Sequence, residues 1–118
     1  MADEQPHVSV KNSGGVNIVE FADRKILEEL SISEIGDELA EVVMGMGDVK
    51  ILLSFKNVEH LSSAALGMLI TLNKQVAEKK GKLKLSDITP QIYEVFKITR
   101  LNKLFSIYGT VREALADF

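Results

Sequence analysis

At 118 residues the chain has room for one domain and not for two. Apolar residues make up 46%, enough for a thin packed core, and the net charge of −3 argues against a nucleic-acid partner, because phosphate binding is led by Lys and Arg. The lack of Cys removes disulfide and thiolate chemistry and suits a reducing cytoplasm.

Met1 to Pro6 is polar and acidic, without the basic start and apolar run of a signal peptide, and reads as a disordered tail. Val8 and Val10 alternate with Ser9 and Lys11 as a short strand. Asn12-Ser13-Gly14-Gly15 is turn chemistry, and Val16 to Phe21 is a second strand that closes a hairpin. Ala22 to Leu30 is charged and aperiodic, and reads as a loop with room for one helical turn. Ser31-Ile32-Ser33-Glu34 is a capping-box pattern, and Ile32, Ile35, Leu39, Val42, Val43 and Met46 follow at helical spacing until Gly45 and Gly47.

Ile51 to Phe55 is nearly continuous in apolar residues, as a central strand covered on both faces would be. A second helix opens near Ser62 and Ser63 and closes at Lys79-Lys80-Gly81, with positive charge at the negative end of the dipole. Leu83 and Leu85 alternate with lysines in another strand. Thr89-Pro90 starts a third helix through Ile92, Val95 and Phe96, with Asn102 as its stop. Phe105 to Tyr108 is a last strand, and Thr110 with Glu113 caps a C-terminal helix carrying Val111, Leu115 and Phe118. The order is ββαβαβαβα. Alternation of strands and helices implies a single α/β domain over residues 1–118, a mixed, mostly parallel sheet flanked by about four helices, antiparallel only in its first hairpin. The expected core includes Val8, Ile18, Leu39, Ile51, Leu53, Leu69, Leu85, Val95 and Phe96.

Catalytic chemistry finds little material. His7 and His60 are the two histidines. His60 stands near Ser62 and Ser63, but that spacing supplies neither the hydrogen-bond geometry nor the third orienting group of a nucleophilic site, and no Gly-x-Ser-x-Gly surrounds either Ser. Two distant histidines match no metal-ligand spacing. Gly45-Met46-Gly47 follows a helix and lacks the Gly-Lys-Ser/Thr of a phosphate loop. Lys79, Lys80, Lys82 and Lys84 read as a solvated helix end and strand face; Met44, Met46 and Met68 read as core fillers. No catalytic residue, metal or cofactor is expected, and no segment has the roughly 20 apolar residues of a membrane span.

The informative stretch is Asn57 to Leu72, where a buried strand hands over to a helix whose mouth, Ser62-Ser63-Ala64-Ala65-Leu66-Gly67, is small and flat. Small residues at a helix N-terminus leave the backbone open to close approach, while Ser62 also serves as a cap. With Ile51 to Val58 before it and the Lys82-Leu83-Lys84-Leu85 strand after it, this segment resembles the STAS family, named for sulphate transporters and anti-sigma factor antagonists. The resemblance covers nearly the whole chain. It implies the STAS fold and a non-enzymatic regulatory role of anti-sigma-factor-antagonist type. The partner would be an anti-sigma factor that is also a serine kinase, with a phosphatase restoring the cycle.

Family members carry Asp-Ser-Ser/Thr-Gly-Leu-Gly at this helix start. The resemblance sets that Asp on Ser62, the first Ser on Ser63, the phosphoacceptor on Ala64 and the Gly on Ala65, with Leu66 and Gly67 matching. Ala64 has no hydroxyl. Either Ser63 or Ser62 is the acceptor, or the module carries no phosphate switch. The implied partner surface is His60, Leu61, Ser62, Ser63, Ala64, Ala65, Gly67 and Met68. The alternative is a constitutive STAS scaffold or transporter-associated subunit using the same surface permanently. A cytoplasmic monomer or weak dimer, with no nucleic acid and no membrane insertion, completes the expectation.

Overall fold

A computed structural model describes residues 7–118, so the tail read over Met1 to Pro6 lies outside the described residues. The chain runs β1 (Val8–Ser13), β2 (Val16–Phe21), β3 (Lys25–Ile26), α1 (Glu29–Met44), β4 (Lys50–Ser54), β5 (His60–Leu61), α2 (Ser63–Glu78), β6 (Lys82–Ser86), α3 (Pro90–Ile98), a 3-10 turn (Leu101–Lys103), β7 (Ser106–Tyr108) and α4 (Val111–Ala116). Five strands form one sheet in the order β1-β2-β4-β6-β7. β1 and β2 are antiparallel, with Val8 opposite Phe21 and Ser13 opposite Val16; the other pairings are parallel. The strands continue through Asn12 and Ser13, and the turn is Gly14-Gly15 alone, both at positive φ, as a tight hairpin turn requires.

Side-chain alternation along β4 divides the core into two layers. Ile51 and Leu53 face the layer built by α1, α2 and α3, together with Leu39, Leu69, Leu85 and Phe96. Leu52 faces the opposite side, where Val16, Ile18 and Ala114 of α4 meet it. All three β4 side chains are fully buried, which is why the strand is apolar at successive positions. Val95, expected in the core, is only partly buried, because the inward line of α3 runs through Ile92 and Phe96.

Other local expectations are corrected as well. The first helix begins at Glu29 after an extended Glu28 that makes no side-chain cap, so Ser31 lies inside the first turn and is not the cap. The preceding stretch contains β3, which pairs with β5, and this pairing fixes where the chain leaves for the helix. The third helix stops at Ile98, with Arg100 left-handed at φ +63, so Asn102 belongs to the 3-10 turn and is not the stop. Met44 is no core filler, being 74% exposed, whereas Met46 and Met68 pack on the core margin.

Lys84 is not solvated either. Its ammonium lies 5.1 Å from the Tyr108 ring centre and 5.3 Å from that of Phe118, and donates to the Tyr108 hydroxyl at 3.0 Å. The Tyr108 hydroxyl donates to Asp117, and that hydrogen bond, followed by the charge of Lys84, holds the Asp117 carboxyl below its usual range. The cluster fastens the end of α4 to the outer side of the sheet.

Candidate docking site at the mouth of the second helix

The mouth of α2 is anchored from below and from the side. Phe55, immediately after β4, is fully buried and packs on Phe21 with ring centres 5.0 Å apart. Its N–H donates to the Ser86 carbonyl at 2.9 Å, and Asn57 Nδ2 donates to the Phe21 carbonyl at 3.3 Å. Laterally, Lys25 and Ile26 pair in parallel with His60 and Leu61, and Ser62 N–H donates to the Ile26 carbonyl at 3.1 Å. Arg24 forks onto Glu59, with Nη2 2.9 Å from Oε2 and Nε at 3.2 Å. Both partners of that pair are largely exposed, so its energetic contribution is small and its effect is to hold the two loops in register.

Ser62 is the N-cap. Its backbone is extended, at φ −89 and ψ 168, and its Oγ accepts from Ala65 N–H at 3.2 Å. Ser63 and Ala64 follow in the first turn and are exposed, as are Gly67 and His60; Leu61, Ser62 and Met68 are partly covered. Ala65 differs from the expectation. It is fully buried, because Ala65, Leu69, Leu72 and Val76 form the inward line of the helix, and its side chain does not reach the surface. The structure therefore brings Ser63, Ala64 and Gly67 together on one outward face and withdraws Ala65. A Cβ added at Gly67 would meet nothing within 4 Å. Packing thus does not require a glycine there; the missing side chain simply keeps the surface flat.

Several residues near the mouth carry no local sequence signal. His7 Nδ1 lies 2.9 Å from Asp23 Oδ2, and Nε2 lies 2.8 Å from Glu34 Oε1. The His7 and Val8 amides donate to Glu38 Oε1 at 3.0 and 3.2 Å. This clasp ties the start of β1 to α1 and to the loop that becomes β3. The Glu34 hydrogen bond chiefly raises the His7 pKa; burial opposes it, and Asp23 and the charge of Glu38 reinforce it. His60, by contrast, points to solvent beside the helix start. Among the described residues no group of three or more His, Cys, Asp or Glu side chains is placed to hold a metal ion. No helix among them is long and apolar enough to cross a membrane.

Residues 12–114 match the STAS domain. A Thermotoga neapolitana protein provisionally named an anti-sigma factor antagonist is 32% identical over 74 residues; the match covers 63% of this chain and 66% of that relative, just under two thirds of its length. An anti-sigma-factor antagonist (STAS) domain protein from Planctomyces limnophilus superposes with a TM-score of 0.85 at 23% identity, covering 93% of this chain and 96% of the other. The phosphorylated form of the Bacillus cell fate determinant SpoIIAA superposes with a TM-score of 0.68 at 12% identity, covering 93% and 97%. At these identities the two solved structures establish a shared fold.

Proposed function

Because this chain belongs to the STAS domain family, we propose that it is a non-enzymatic regulatory module of anti-sigma-factor-antagonist type, docking through the mouth of α2 on a partner of the anti-sigma factor and serine kinase kind. The observation that carries the reading is the exposed, flat face of Ser63, Ala64 and Gly67 on a helix start anchored from below and from the side. A rigid surface without long side chains loses little conformational entropy on contact and admits a partner closely. The cytoplasm, where a regulator of transcription meets such partners, is the proposed setting.

For phosphate control, the two serines are unequal. The Ser62 hydroxyl is engaged in capping, whereas Ser63 is exposed and makes no side-chain hydrogen bond among the described residues. Ser63 is therefore the better acceptor. A phosphate there adds about −1.5 to −2 charges beside the positive end of the helix dipole, which the fold tolerates and a close-packed partner does not. The SpoIIAA fold is described in phosphorylated and unphosphorylated forms, which supports a switch acting on the interface with the fold intact. A second reading, a constitutive scaffold or transporter-associated subunit, is favoured by one specific observation. The position that the family motif gives to the acceptor is Ala64, exposed but without a hydroxyl.

The test is affinity purification of the tagged chain from its native cell, comparing wild type with Ala64→Arg and mapping phosphopeptides in the same sample. Wild type should retain a serine-kinase-type anti-sigma factor, and Ala64→Arg should lose it with an unchanged thermal midpoint. Ser63→Asp should weaken binding, while Ser63→Ala should keep it and abolish phosphate incorporation. If both Ser63 variants bind like wild type and no phosphate is found, the scaffold reading replaces the switch. Normal binding by Ala64→Arg would remove the helix mouth as the interface.

A further inference from the structure

The flat face at the mouth of α2 does not end there. α1 and α2 are both 16-residue helices, they follow the paired strands β3 and β5 and pack side by side, and the seam between them is open to solvent. Its upper part is a groove of about 350 Å³ lined by Ser33, Gly36 and Asp37 from α1 and Ala64, Gly67 and Thr71 from α2. A lower part of about 310 Å³ continues past Ala40 and Gln75 to Met44. From Ser33 to Met44 the seam is roughly 16 Å long at 1.5 Å per residue, about three turns of a helix laid along it.

Two features state what would lie there. The outward stripe of α1 begins and ends in large exposed apolar side chains, Leu30 at 71% and Met44 at 74%, with small residues between the helices. Gly36 eases that closeness: a Cβ on it would stand 3.3 Å from Met68 Cγ, and the Met68 side chain would have to give by a few tenths of an ångström. The charge of the α1 wall is also one-sided. Between Lys25 and Lys50 the chain has seven Asp or Glu and no Lys or Arg. Glu34 and Glu38 are engaged by His7 and its neighbouring amide, and Asp48 by Lys50. Glu28, Glu29, Asp37 and Glu41 are exposed and take part in no ion pair among the described residues. On the α2 side Lys74 is exposed, and the lower part of the groove is bordered by Glu78 and by Lys79, the C-cap residue, whose charges offset one another.

We infer that the α1–α2 groove receives an α-helix of the partner whose narrow apolar face is flanked by Lys or Arg. The inference rests on the docking role proposed for the mouth of α2 and extends that interface along the seam. An apolar stripe with small-residue walls suits helix-in-groove recognition; Asp37, which lines the groove, favours a basic flank, and the other exposed carboxylates of α1 speed its approach. A second copy of this chain is a poor occupant. Two-fold pairing with its axis across the seam would set one acidic α1 wall against the other.

The experiment is site-specific photo-crosslinking in the native cell, with the full chain carrying p-benzoylphenylalanine at His60, beside the mouth, or at Met44, at the far end of the seam. Both side chains are exposed, so neither replacement disturbs the core. Both positions should crosslink the same protein, and mass spectrometry should locate the Met44 adduct in a helical, Lys/Arg-rich segment. Asp37→Lys combined with Glu41→Lys should lower the Met44 yield by at least about tenfold while the thermal midpoint holds. A crosslink from His60 without one from Met44 would leave the mouth as the interface and overturn the groove. An adduct on an acidic segment, on a non-helical segment or on a second copy of the chain would also overturn it. Silence at both positions would remove the docking reading together with the groove.

Discussion

Ser62 and Ser63 are adjacent and chemically identical, yet the fold uses them differently. Ser62 Oγ satisfies the Ala65 amide, whereas the Ser63 side chain is exposed. Ser62→Ala should therefore cost about 1 kcal/mol in urea unfolding, and Ser63→Ala close to nothing; equal losses would contradict the cap assignment. Arg100 offers the opposite sign. It holds a left-handed backbone at φ +63 just past the end of α3, is exposed, and forms no ion pair among the described residues. Arg100→Gly should stabilise the fold by roughly 1 kcal/mol, read as a higher denaturation midpoint. His7 has a carboxylate against each ring nitrogen, so the ring satisfies both only as the imidazolium. Its folded pKa lies above the ordinary 6.5. The clasp thus contributes its full stability below 6.5 and loses it as pH rises through the raised folded value. Stability measured from pH 6 to pH 8 should fall more steeply in wild type than in His7→Gln, and parallel curves would refute the clasp.

At the scale of elements, β4 and α2 form the centre of the domain. Leu53 and Leu69 belong to the same buried layer and are almost fully enclosed. Truncating either to Ala should cost about 2–5 kcal/mol, a large share of the roughly 5–15 kcal/mol typical of a whole domain. A urea titration that leaves both midpoints unmoved would place the core elsewhere. These elements were also the most legible in the sequence, because the unbroken apolar run from Ile51 and the cap at Ser62 are local signals. The start of α1 was not. Its capping pattern at Ser31 is genuine as a pattern, but the two-residue pairing of β3 with β5 decides where the helix begins, and two residues have no periodicity to read. The end of α3 likewise depends on one left-handed residue that is not glycine. The start of α2 and its small, flat composition could be read from the residues, while the choice of Ser63, Ala64 and Gly67 as part of a partner surface came from the family resemblance. The inward turn of Ala65 needed the phase of the helix on the sheet. The Arg24–Glu59 fork, the His7 clasp and the seam between α1 and α2 join residues far apart in the chain, so no local pattern announces them.

For the molecule as a whole, acidity is concentrated along α1, from Glu28 to Glu41, close to the proposed interface. Association with a basic partner should therefore slow as salt is raised past the point where the screening length falls to about 8 Å, near 0.15 M, while dissociation changes less. Stopped-flow rates indifferent to ionic strength would argue that charge plays no part in the encounter. The sheet itself bears on how the chain is made. Its strand order, β1-β2-β4-β6-β7, is also the order in which the strands are synthesised. Each strand leaving the ribosome finds its neighbour already in place at the growing edge and never has to insert between two others. The outer face is finished differently: Val16, Ile18 and Leu52 wait for Ala114 and its flanking residues, which follow all five strands of the sheet in the chain. A nascent chain stalled before Thr110 would hold a nearly complete sheet with one greasy side bare, and it is at this moment, more than in the finished protein, that chaperones would have something to grip.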